Sequence, residues 1–166
     1  MGILNYNFQW YRPWGNGILS LEDLRFFYYD IAKDNISGLS KMYEWNDTIK
    51  SFLEKNHLTI EECDNILEDE INNNTILFKI RKNKNTGEYK ETKAMSFFRH
   101  LRNAFAHYNI KCENNYYYIR DFDYKKKITM IGAINCDLLR DLCFLFLSQG
   151  DVILQSSDDC NQQRTI

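Results

Sequence analysis

The sequence lacks several features that would identify a class of protein at once. Its five cysteines form no Cys-x-x-Cys pair, its seven glycines are dispersed and form no phosphate-cradling motif, and proline occurs only at Pro13. The longest apolar run, around Leu142 to Leu147, is much too short to span a bilayer, and no basic-then-apolar leader stands at the N-terminus. We therefore expect a soluble cytoplasmic protein with reduced thiols and no membrane association.

A strong excess of charge of either sign is also missing. The formal net charge is −2, so a nucleic-acid site would have to be a local basic patch. Lys125–Lys127 and the lysines and arginines of residues 79–93 are candidates to guide an RNA backbone, although surface solubility explains either group equally well. The aromatic content of 15% fits a bulky core and a hairpin, or surfaces that stack on bases.

Metal-binding patterns are absent as well. The chain has three histidines, and these are scattered without the paired spacing of zinc ligands. Cys112 follows His107 closely, but no second pair of ligands accompanies them. The acidic run over residues 61–70 could bind Mg²⁺, but it is more typical of a solvated helix face. We therefore predict no metal site and no cofactor.

Hydrophobic periodicity predicts one domain over residues 1–150, with an aromatic N-terminal arm at residues 1–18 and a loose polar tail at residues 151–166. Ser20 with Asp23, and Thr59 with Glu62, fit the capping-box pattern that opens a helix. The predicted helices start after Ser20 and then run from about Ile36 to Lys55, Thr59 to Ile71, Thr92 to Tyr108, and Asn135 to just before Gly150.

Strand signals are fewer. The segments Tyr116–Phe122 and Lys127–Ile131 alternate in polarity around a turn, and this pattern predicts a β-hairpin that needs helix packing to be stable. Residues 76–81 fit either a short strand or a helical turn, and residues 82–90 read as an exposed loop. The predicted fold class is therefore mainly α, a helical bundle with a small β-hairpin before the last helix.

The helix predicted from Thr92 to Tyr108 carries the most distinctive residues, in the stretch MSFFRHLRNAFAHYNI. At 100° per residue an apolar stripe faces the core, and a polar arc lies opposite. In the arc, Asn103 and His107 are adjacent, and a hydrogen bond between them would fix the imidazole tautomer. The predicted stripe is Phe98, Leu101, Phe105 and Tyr108, and the arc is Arg99, His100, Arg102, Asn103 and His107.

A basic polar arc on a helix is often only a solvated surface. Two features favour a site here. Ala106 lies inside the arc and Ala104 at its edge, and such small residues let another helix approach closely. Solvated helix faces also favour Glu and Lys, yet no carboxylate occurs between Ala94 and Tyr108.

The stretch Arg102–His107, RNAFAH, resembles the R-x(4–6)-H signature of the HEPN (higher eukaryotes and prokaryotes nucleotide-binding) superfamily. FFRHLRNAFAH followed by a hairpin and a terminal helix is similar to small HEPN proteins of bacterial plasmids and defence loci. The resemblance covers roughly residues 20–150, and its motif region is the specific part. It implies an HEPN-like helical bundle that acts as a homodimeric, metal-independent endoribonuclease, with the two motifs meeting across the subunit interface.

By motif position, the resemblance assigns catalytic roles to Arg102, Asn103 and His107. The chemistry suits these residue types because RNA supplies its own nucleophile, the 2′-hydroxyl. His107 can serve as general base or acid, and Arg102 can hold the scissile phosphate and stabilise charge in the transition state. Arg99 and His100 are additional candidates for substrate binding from helix geometry alone.

Several functions stay open at this level. The resemblance implies a toxin or phage-defence effector, which an antitoxin of protein or RNA could control. An alternative is a non-catalytic HEPN-type module that binds RNA, a nucleotide or a protein partner. A third is an assembly protein that merely dimerises through this helix. The intact pair of Arg102 and His107 favours catalysis, since pure binding would not require it.

Overall fold

The computed structural model of the chain describes residues 13–15, 17–33, 44–67 and 72–149. Most of the predicted arm, the first part of the helix expected from Ile36, the predicted helix stop at Gly150 and the predicted tail lie outside these ranges. Within the ranges described, no helix is long and apolar enough to cross a membrane.

These residues form an α/β fold on a five-stranded mixed sheet. The strand order is β1-β2-β5-β4-β3. The β1–β2 pair is parallel, and the other three pairs are antiparallel. The strands are β1 (Thr59–Glu62), β2 (Thr75–Phe78), β3 (Ile110–Glu113), β4 (Tyr116–Phe122) and β5 (Ile128–Asn135).

The expectation of a mainly α helical bundle is therefore wrong. A helix was predicted to start at Thr59, but this segment forms strand β1 instead, in which Thr59 pairs with Thr75 of β2. Four residues are too few to show a clear alternation, and Thr-Ile-Glu-Glu fits a capping box equally well. A parallel pair also requires a long connection, so its partner strand leaves no local signal in the sequence.

The predicted β-hairpin is confirmed as β4 and β5, but it is part of the larger sheet. Strand β5 is central, and Ile131, Ala133 and Ile134 on its two faces are buried. Gly132 allows β2 to approach closely, because a Cβ atom there would lie 2.4 Å from the carbonyl oxygen of Thr75. A glycine inside a strand often marks such a close approach of another backbone.

The helices frame one face of this sheet. The first begins as expected with a capping box, in which the Asp23 amide donates to Ser20 Oγ at 3.1 Å and the Ser20 amide donates to Asp23 Oδ2 at 2.9 Å. It continues directly into a π-helical turn. The helical segments are α1 (Leu21–Arg25), the π-helix (Phe26–Ala32), α2 (Asp47–Lys55), α3 (Lys93–Ala106) and α4 (136–149).

Helix α3 lies between two layers. It contacts strands β2 and β4 on one side, and α1 with the π-helix on the other. Phe98 stacks on Phe27 and meets Phe146 edge-on, each at a centroid distance of 5.2 Å, and Phe97 packs 6.0 Å from Phe78. Because both sides are covered, α3 is buried around most of its circumference until its last turn.

Candidate active site

The end of α3 determines where its polar residues emerge. The helix starts at N-cap Thr92, whose hydroxyl accepts from the Met95 amide at 3.1 Å, and it ends at Ala106 with His107 as the C-cap. The His107 amide donates to the carbonyl of Asn103 at 3.0 Å. Tyr108 then turns the chain at a positive φ of 60°, which is uncommon for a residue other than glycine. His107 thus stands at the point where the chain leaves the core.

Arg99 is held inside the protein by a carboxylate. Its Nε and Nη2 donate to the two carboxylate oxygens of Glu91 at 3.0 and 2.7 Å, a bidentate pair. Both side chains are almost completely buried. Burial alone would raise the pKa of Glu91, but the hydrogen bonds from Arg99 and from the Arg81 amide outweigh it and lower that pKa. The pair ties α3 to the loop that precedes it.

His100 is held in the same region by two acceptors. Its Nδ1 lies 2.7 Å from Asp121 Oδ2 on β4, and its Nε2 lies 2.7 Å from the carbonyl oxygen of Lys79. Arg99 Nη2 also lies 3.3 Å from the same Nε2. The result is a buried hydrogen-bonded pair between His100 and Asp121 that fastens α3 to the sheet.

The expected exposure of Arg99 and His100 is therefore wrong, since they are 6% and 1% exposed. Sequence reasoning placed them on a solvent-facing arc and did not single out Glu91 or Asp121. One signal was available. In the alternating strand Tyr116–Phe122, Asp121 falls at an inward position, and an inward carboxylate requires a buried donor. Both side chains border a cleft of about 690 Å³, but their donor groups point to internal partners.

Arg102 lies at the boundary between core and solvent. One η nitrogen donates to the hydroxyl of Tyr29, and the other donates to Asn103 Oδ1 at 2.6 Å. The guanidinium carbon lies 5.0 Å from the ring centre of Tyr28 and 5.3 Å from that of Tyr29. This cation–π packing holds the guanidinium in one place while leaving the side chain half-buried. The Asn103 carboxamide hydrogen-bonds with Arg102 rather than with His107.

The two tyrosines were not singled out from the sequence. Tyr28 is buried and Tyr29 is 45% exposed, and Lys33 Nζ lies within 5.6 Å of both ring centres. They occur in the π-helix, a local widening that is frequent at functional sites. The run Phe-Phe-Tyr-Tyr read only as one side of an amphipathic helix, and nothing local linked it to a residue on α3.

His107 is exposed at the mouth of a different cleft, of about 630 Å³. Residues Asn109, Phe122, Tyr124 and Lys126 also line this cleft. Tyr108, which was expected in the core stripe, is 94% exposed, and that expectation is wrong. Phe98 and Leu101 of the stripe are fully buried as expected.

The acidic and metal-ligating residues give no further cluster. Over the part of the chain that the structure describes, no three His, Cys, Asp or Glu side chains are grouped closely enough to hold a metal ion. Cys143 is buried, and that burial raises its pKa.

These features define an α/β domain that presents an Arg-x4-His pair where its central helix ends. A family model described as HEPN pEK499 p136 matches residues 19–150, so the chain belongs to this HEPN family. The resemblance seen in the motif is thereby confirmed. Membership links the chain to nucleotide- or RNA-related function, and HEPN proteins include ribonucleases. No curated protein and no solved structure matches the chain.

Proposed function

We propose that this protein is a metal-independent endoribonuclease in which Arg102 and His107 act on the scissile phosphodiester. The proposal rests on a difference in solvent exposure among the basic residues on α3. Arg99 and His100 are buried and bonded to internal carboxylates, whereas Arg102 and His107 reach solvent at the end of the same helix. The residues that match the family motif are thus the ones that a substrate can contact.

The chemistry follows from the two side chains. In RNA the 2′-hydroxyl attacks the adjacent phosphorus, and the bond to the 5′-oxygen of the next nucleotide breaks. His107 takes the proton of the 2′-hydroxyl or supplies one to the leaving oxygen. Arg102 neutralises the extra negative charge on the phosphorane. The products are a 2′,3′-cyclic phosphate and a 5′-hydroxyl, and no step requires a metal ion.

A homodimer completes the proposed site. Arg102 and His107 are five residues apart and about 140° apart around the helix axis, so their side chains leave one helix in widely different directions. A two-fold axis beside exposed Ala106 would bring the partner's motif close enough to form a second wall. The proposed role as a toxin or phage-defence effector, with a protein or RNA antitoxin, rests on the family resemblance.

One observation favours the alternative, a non-catalytic RNA-, nucleotide- or partner-binding module. Both η nitrogens of Arg102 already have internal acceptors, Tyr29 and Asn103. A guanidinium has five N–H donors, so Arg102 keeps further N–H groups for a phosphate while these two contacts hold it in place. A binding module needs only such a fixed guanidinium to hold an anion, and it would show no turnover.

The test is cleavage of single-stranded RNAs by purified protein in EDTA, with analysis of the product ends. We expect turnover, a 2′,3′-cyclic phosphate, and loss of cleavage by 10²-fold or more in His107→Ala. His57→Asn is the matched control, because His57 is an exposed histidine at φ 54° and asparagine tolerates that conformation. Absence of turnover, dependence on a divalent ion, or a 3′-hydroxyl product would reject the proposal.

A further inference from the structure

The side of the molecule next to His107 exposes an unusual number of aromatic rings. Tyr108 is 94% exposed, Tyr124 88%, Phe122 38% and Tyr118 37%. Large apolar surfaces of this kind, when they are grouped, mark binding sites rather than ordinary solvent-facing positions. None of these four residues belongs to the Arg-x4-His motif.

The sheet aligns two of these rings. Along β4 the buried residues Tyr117, Ile119 and Asp121 alternate with exposed Tyr118, Arg120 and Phe122, so the exposed three share one face of this strand, its outer face. Successive residues on one face of a strand lie about 7 Å apart, so Tyr118 and Phe122, with Arg120 between them, are about 14 Å apart along a track.

Two clefts connect this track to the proposed active site. Tyr108, Tyr118 and Phe122 line a cleft of about 370 Å³. Phe122 and Asn109 also line the neighbouring cleft that contains His107. A strand lying along the aromatic residues of the first cleft would therefore lead directly to His107.

The charges beside the track suit a polyanion. The outer face of β4 carries Arg120 but no carboxylate, because Asp121 points inward to His100. At the hairpin turn, Lys125–Lys127 are exposed. The carboxylate of Asp123 is engaged by the amides of Lys125 and Lys127 at 2.8 and 2.9 Å. Lys126 also lines the His107 cleft.

We infer that the outer face of β4, with Tyr108, Tyr118 and Phe122, is a stacking platform for unpaired nucleotides of single-stranded RNA. The inference rests on the proposed function in taking RNA as the ligand, and it adds the form of RNA that the site accepts. Exposed aromatic rings next to lysines bind single strands by stacking on base faces and attracting the backbone. In an A-form duplex the base faces are stacked on one another, so the platform selects unpaired segments.

The test is equilibrium binding of a fully 2′-O-methylated single strand, which has no 2′-hydroxyl to attack, measured by fluorescence anisotropy. We expect Kd to rise about 10-fold or more in Tyr118→Ala and in Phe122→Ala, since stacking on one aromatic residue contributes that much. Tyr89→Ala is the control, because Tyr89 is 56% exposed but lies outside both clefts. A 2′-O-methylated duplex of the same composition should bind at least 10-fold more weakly than the single strand.

Leucine variants show whether binding requires an aromatic ring or only an apolar side chain. They also show whether a loss of affinity comes from misfolding. Tyr118→Leu and Phe122→Leu keep an apolar side chain, and their thermal melts should match the unmodified protein while single-strand affinity still falls. Unchanged affinity in these variants, equal affinity for duplex, or dissociation of a homodimer as the only effect would overturn the platform. If the variants cleave RNA and bind it with unaltered affinity, the platform is rejected and the proposed nuclease function is kept. Binding that depends on Tyr118 without cleavage would reject the nuclease and keep the platform.

Discussion

Arg99 and Arg102 lie almost one turn apart on α3, yet they belong to two different regions of the molecule. Arg99 and His100 are each hydrogen-bonded to a buried carboxylate, that of Glu91 or of Asp121. Around Arg102, the partners are tyrosine rings and neutral oxygens, and no carboxylate hydrogen-bonds to the guanidinium among the described residues. A cation with a dedicated carboxylate is neutralised, whereas a cation positioned by neutral groups keeps its charge for an anionic ligand.

A single helix can therefore hold both a structural and a functional set of basic residues. Breaking a buried ion pair leaves an uncompensated charge in the core, and this is strongly destabilising. Removing a partly exposed arginine leaves no such charge. The buried region should therefore respond to mutation mainly in stability, and the exposed region mainly in activity.

The largest stability effect is expected from Asp121→Ala. The substitution leaves the buried His100 ring and the Phe122 amide without the carboxylate oxygens to which they are hydrogen-bonded. We expect the free energy of unfolding to fall by about 1–3 kcal/mol for each group left without a partner, measured by urea denaturation. Asp141→Ala, an exposed carboxylate on α4, should cost less than about 1 kcal/mol. Equal losses in the two variants would mean that the His100–Asp121 pair does not hold the helix to the sheet.

A smaller effect on the free energy of unfolding is expected when the pH is lowered. Because the pKa of Glu91 is lowered in the folded protein, its carboxylate stabilises the fold above the unfolded pKa of about 4.3. That contribution disappears as pH falls through the lower folded pKa. Urea denaturation from pH 7 to pH 3 should show a steeper loss of stability below pH ~4.3 in the unmodified protein than in Glu91→Gln. Glu113→Gln, at an exposed position, is the control, and identical slopes for all three proteins would contradict a buried pair with Arg99.

The sequence predicts those parts of this arrangement in which the interacting residues are close together along the chain. The Ser20–Asp23 capping box, helix α3 and the hairpin were predicted because their signals lie within a few residues. Strand β1 and the pairs Glu91–Arg99 and His100–Asp121 could not be predicted, since their partners are set by the tertiary fold. Helical periodicity located Arg102 and His107 on one helix but misassigned Arg99, because a helix covered on two sides has no single polar face.

The smallest effect is expected from Tyr29→Phe, which keeps the ring beside Arg102 and removes the hydroxyl that accepts its hydrogen bond. We expect the cleavage rate to fall about 3- to 10-fold, since one hydrogen bond that orients Arg102 is lost. The melting temperature should change little, because Tyr29 is half-exposed. Tyr89→Phe is the control, as an exposed tyrosine that lines neither the His107 cleft nor the cleft along β4. A faster rate in Tyr29→Phe would show that the hydroxyl restrains Arg102 rather than positioning it.

The division of α3 into a structural and a functional region is tested most directly by cleavage with Arg102→Ala and Arg99→Met side by side. The rate constant is measured per folded molecule, at a temperature where both variants are shown to be folded. We expect a loss of 10²-fold or more in Arg102→Ala, as for removal of a group that stabilises charge in a transition state. We expect a rate within a few-fold of the unmodified protein in Arg99→Met, which is instead less stable. Equal losses in the two variants, or a loss confined to Arg99→Met, would contradict this division of the helix.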